Sequence, residues 1–146
     1  MSEEVDLQSM QRQIWELRSL EEIRMVKHKY ARCLSQSSDE IEEVFAENAR
    51  CELGTFGVVE GRAELGRFFR ENVYPHFAMA VHMYHNPEIS FTGPTTAKGT
   101  WHYEVYQRTR EPDASVWLTG WFEDEYVLED DGWKIQSYVG TYFFLT

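Results

Sequence analysis

Leu7, Met10, Ile14 and Leu17 recur at three- and four-residue spacing, which predicts an amphipathic helix at the start of the chain. "SLEE" then matches a capping box, Ser19 with Glu22, so a second helix is expected from Ser19. Its apolar stripe is Leu20, Ile23, Val26 (or the stem of Lys27), Tyr30 and Leu34. "SSDE" repeats the signal, Ser37 with Glu40, and opens a short helix through Ile41, Val44 and Phe45. A further helix is expected in "GRAELGRFFRENV", with Leu65, Phe68, Phe69 and Val73 on one side and Tyr74-Pro75 at its end.

From residue 87 the period becomes two. In "AKGTWHYEVYQ", Ala97, Gly99, Trp101, Tyr103 and Val105 alternate with Lys98, Thr100, His102, Glu104 and Tyr106. "SVWLTGWFEDEYVL" and "WKIQSYVGTYFFL" are two more β runs, joined by "EDDGW", whose Asp131-Gly132 suits a hairpin. "CELGTFGVVEG" reads as an earlier hairpin, and "REPDAS" as a loop between long strands. The fold class is α+β: helices first, then a mostly antiparallel sheet with one face under the helices. The domain is expected over 19–146, with 1–18 as an amphipathic helical extension.

The 146 residues suit one domain with a real core. Nine Phe, eight Tyr and five Trp are enough to fill that core and line a pocket as well. A formal charge of −11 argues against nucleic acid and anionic membrane, since both call for a basic footprint. "MSEEVDLQSM" lacks the basic and apolar regions of a signal peptide, and no run is long enough to span a bilayer. The expected location is the cytoplasm, with Cys33 and Cys51 reduced.

Chemistry concentrates in "HMYHNPEI". In an extended segment His82 and Tyr84 share one face and His85 the other, so the two histidines diverge. No His-Glu-x-x-His occurs, and His28, His76 and His102 form no ligand pattern, so no metal is expected. For His82 two readings stand: a catalytic base, or a hydrogen-bonded core residue. Tyr30, on a helical stripe, has the same two readings.

The segments "EEIRMVKHKYARCL", "VFAENARCELG", "EGRAELGRFF", "VHMYHNPEISFTGPTTAKGTWHYE" and "GWFEDEYVLEDDGWKI" follow one another as in the SnoaL-like branch of the nuclear-transport-factor-2-like superfamily. The chain resembles that branch from about Leu20 onward, closest in "KYARCL" and "HMYHNPEI…TTAKGTWHYE" to the bile-acid 7-alpha-dehydratase type. Scytalone dehydratase and hexachlorocyclohexane dehydrochlorinase are more distant relatives. The resemblance implies a cone: a strongly curved sheet wrapped around the N-terminal helices. It also implies a cofactor-independent lyase or isomerase acting on a hydrophobic ring compound, in a homodimer or higher homo-oligomer.

In those enzymes a pocket histidine takes a proton, a carboxylate orients it, and a helix tyrosine polarises an oxygen. The histidine falls on His82, the tyrosine on Tyr30 and the carboxylate on Ser35. A serine supplies no negative charge for an imidazolium. Asp39, in the first turn of the next expected helix, is a poor substitute, and the carboxylates His82 would borrow from elsewhere are Glu104 or Glu52. The implied pocket face is Trp101, Tyr103, Val105, Leu118, Phe122, Tyr138 and Tyr142. The alternative is a non-catalytic ligand-binding or assembly module of the same fold, which Ser35 favours.

Overall fold

The computed structural model describes residues 2–145. Its first element is one uninterrupted helix, α1 (Ser2–Gln36). The break expected before Ser19 is absent. No Gly or Pro occurs in the segment, and Ser19 is buried in mid-helix instead of capping a new one. The inward line steps by about one turn through Trp15, Ser19, Ile23, Lys27, Tyr30 and Leu34. Trp15 packs on Phe91 and Trp133, with ring centroids 5.4 and 6.3 Å away, so tertiary packing holds the helix across the capping signal. Ser37, at φ 52°, ends it. Ser38, one residue later than expected, caps the 3-10 turn Asp39–Val44 by accepting the Glu40 N–H at 3.2 Å.

Phe45, expected at the end of that helix, instead opens β1 (Phe45–Glu52), which pairs with β2 (Val58–Glu60) as the expected hairpin. Next come α2 (Arg62–Phe68), continued by a wider turn over Phe69–Val73, then β3 (Phe77–Gly93), β4 (Thr96–Thr109), β5 (Ala114–Glu129) and β6 (Gly132–Leu145). The sheet runs β2-β1-β6-β5-β4-β3; β1 lies parallel to β6 and every other pair is antiparallel. It curves around α1 as a cone without closing, leaving β2 and β3 as edges.

β3 starts ten residues before the expected change of period. Asn86-Pro87 does not interrupt it: the β3–β4 register shifts between His85 and Glu88, with Asn86 at φ 50°. A bulge on an edge strand tolerates both a positive φ at Asn and a proline without an N–H. The outer face of the sheet leaves Tyr106, Trp117, Trp121 and Phe143 exposed, with Tyr106 stacked on Trp117. No described helix is long and apolar enough to cross a membrane.

Candidate active site

The cross-strand register decides which side chains meet inside the cone. His82 pairs with Val105 and Val105 with Leu118; Tyr84 pairs with Tyr103, Tyr103 with Gly120, and Gly120 with Tyr142. Directly opposite residues share a face, so these rungs all point inward. Gly120 makes room for an aromatic neighbour: a Cβ there would lie 2.9 Å from the Tyr103 ring and 1.9 Å from the Thr141 carbonyl. Under α1 these rungs enclose a cavity of about 450 Å³. His82, Tyr84, Tyr103, Val105, Leu118, Phe122 and Tyr142 line it from the sheet, Tyr30 and Leu34 from α1, and Phe69 beyond α2. The size suits a ring-sized ligand and the wall is mostly apolar.

Two residues of the expected pocket face lie elsewhere. Tyr138 is buried behind Tyr30, whose hydroxyl donates to the Tyr138 hydroxyl at 3.0 Å. Trp101 lines a separate cleft between α1 and β3, and its indole N–H donates to the Tyr126 hydroxyl at 2.9 Å. Burial raises the pKa of Tyr30, Tyr84 and Tyr138 well above the ordinary value, so all three stay neutral. The Tyr103 hydroxyl, also on the cavity wall, is buried without a partner.

Ser35 meets His82 through the backbone and not through the ring. Its Oγ donates to the Ala31 carbonyl and accepts the His82 backbone N–H, both at 3.0 Å, pinning β3 to α1. The imidazole Nδ1 is covered and unpartnered, and no carboxylate pairs with the ring among the described residues. Burial lowers the His82 pKa to about 4, with no acid nearby to oppose it. Glu104 instead lies 3.3 Å from His85 and accepts from the Tyr106 hydroxyl, while Glu52 pairs with Arg50. Ser35→Ala therefore leaves the His82 N–H without its acceptor. A loss of about 1–3 kcal/mol in urea unfolding is expected, with faster amide exchange at His82.

The sequence reading missed the most polar feature of the interior. Lys27 and Asp124 are both fully buried, with Nζ 2.8 Å from Oδ2. The ammonium sits 4.4 Å from the ring centres of both Tyr84 and Phe122 and 5.1 Å from that of Tyr30, directly behind three rings of the cavity wall. Asp124 also accepts from the Tyr126 hydroxyl at 2.6 Å, which extends the network to Trp101. Burial lowers the Lys27 pKa, and Asp124 opposes that shift. Cys33 and Cys51 are both free thiols. Among the described residues no cluster of His, Cys, Asp or Glu is arranged to hold a metal ion.

A SnoaL-like domain model matches residues 15–139, nearly the whole cone. The chain belongs to the SnoaL-like family. Solved structures place this SnoaL-like chain in the nuclear-transport-factor-2-like fold. One is a hexachlorocyclohexane dehydrochlorinase from Novosphingobium barchaimii, 13% identical with a TM-score of 0.79, matched over 91% of this chain and 90% of its own. A candidate scytalone dehydratase from Novosphingobium aromaticivorans is 19% identical, TM-score 0.76, over 94% and 92%. A nuclear-transport-factor-2-like protein from Salmonella enterica is 14% identical, TM-score 0.73, over 86% and 90%. At these identities the likeness is one of fold.

Proposed function

We propose that the protein is a cofactor-independent lyase or isomerase of dehydratase type, acting on a hydrophobic ring compound with His82 as general base. The observation that carries this reading is His82 itself. An imidazole with a covered, unpartnered nitrogen lines the same aromatic cavity as Tyr30 and Tyr103. The dehydrochlorinase and dehydratase names among its structural neighbours support the reaction class.

Neutral His82 takes a proton from a carbon next to a ring carbonyl. The C–H electron pair moves toward the carbonyl, whose oxygen gains negative charge. Tyr103 donates a hydrogen bond to that oxygen, and so does Tyr30 by exchanging its Tyr138 partner for the ligand. The electrons then return to form a C=C bond as the hydroxyl on the next carbon leaves. That hydroxyl takes the proton from His82 and departs as water, so atoms and charges balance. The missing carboxylate makes the imidazolium intermediate more costly. It also favours the second reading, a binding module that holds the same ligand without turning it over.

The pH profile tests the base. His82 is held neutral when folded, so on a panel of hydroxylated ring ketones kcat/KM should rise with pH and level off above a midpoint of about 4. A midpoint near the ordinary histidine value would remove burial as the tuning force, and absence of turnover across the panel would favour the binding module. The same shift acts on stability. The folded pKa lies below the unfolded one, so this contribution is complete above about pH 6.5 and is lost as pH falls through about 4.

A further inference from the structure

Arg24, His28 and Arg32 follow one another at four-residue steps on α1, so they form one line on the helix. That line borders the cleft between α1 and β3, which has a volume of about 950 Å³. His82 and His85 both border this cleft along the edge of β3, and no acidic side chain is among its lining residues. In a chain with 25 acidic and 14 basic residues, such a local excess of donors is unusual. Its arginines are only loosely engaged: Arg24 lies 4.0 Å from Glu21 and Arg32 3.7 Å from Glu40, all four side chains about half exposed. Glu104, 3.3 Å from His85, is the other acid in contact with the group. His82 and Tyr84 are common to the walls of this cleft and of the aromatic cavity.

We infer that the cleft is an oxyanion subsite: the substrate carries a carboxylate or phosphate, held by Arg24 and Arg32, while its ring occupies the aromatic cavity. A guanidinium fork matches either anion with two parallel N–H bonds, which a solvated helix face would not require. The inference deepens the proposed function by naming the charge class of the ligand, but its test reads equilibrium binding and involves no proton transfer.

Calorimetric titrations with cinnamate, its neutral amide cinnamamide, and phenyl phosphate separate the possibilities. Wild type should bind at least one anion about tenfold more tightly than the amide. Arg24→Gln/Arg32→Gln should erase that preference and leave the amide unchanged, and added salt should narrow it. Preference for cinnamate identifies a carboxylate site, and preference for phenyl phosphate a phosphate site. Equal or undetectable binding of both anions relative to the amide overturns the inference, as does a preference that survives the double substitution. If His82 proves dispensable for turnover while the anion preference holds, the catalytic reading fails and the subsite stands.

Discussion

Lys27→Met is expected to destabilise the fold by about 3–5 kcal/mol, the range for removing one partner of a buried ion pair. The substitution preserves most of the side-chain volume, so the effect is electrostatic. It leaves the fully buried Asp124 carboxylate with no countercharge and only the Tyr126 hydroxyl as its side-chain donor. The pair itself need not be a net stabiliser, because burying both charges is costly too. Lys27→Met/Asp124→Asn should therefore recover most of the loss, since the Asn carbonyl can still accept from Tyr126. Urea unfolding of the wild type, both single variants and the double variant gives the coupling. A Lys27→Met variant within about 1 kcal/mol of wild type would show that Asp124 does not depend on Lys27 as its countercharge.

His82→Gln is the second large effect. Glutamine approximates the ring's volume and leaves the backbone N–H on Ser35, so the fold should be retained. The base is lost, and kcat/KM should fall about 100- to 10,000-fold, the usual share of a positioned general base. The loss belongs in kcat and not in KM, because a proton acceptor acts in the transition state while the aromatic wall holds the ligand in both states.

The interior was readable wherever period alone decides orientation. Alternation puts Tyr103 and Val105 on one face, the resemblance adds Leu118, Phe122 and Tyr142, and the β3–β4, β4–β5 and β5–β6 registers bring these residues together with His82. Tyr138 keeps the same parity, yet it sits behind Tyr30, because parity fixes a face and not a depth. Lys27 and Asp124 carried a usable signal. Lys27 lies one turn from Ile23 on the buried stripe, and Asp124 lies between Phe122 and Tyr126 on the inward face. Charged side chains are expected at the surface, and a pair so far apart in sequence is visible only once the sheet has folded over the helix. The uninterrupted α1 and the bulge at Asn86-Pro87 have a similar origin: local signals for a start and a stop were overridden by packing at Trp15 and by pairing with β4. Ser35 stands where the resemblance implies a partner for the His82 ring, yet it bonds the His82 backbone, a distinction no residue identity carries.

The central claim is that His82 takes a proton from carbon. Solvent-deuterium incorporation into hydroxylated ring ketones, followed by NMR in deuterated buffer, measures that step without requiring the complete reaction. Wild type should label the carbon beside the carbonyl well above the buffer rate, and His82→Gln should label it only at the buffer rate. Equal incorporation by wild type and His82→Gln would contradict the account.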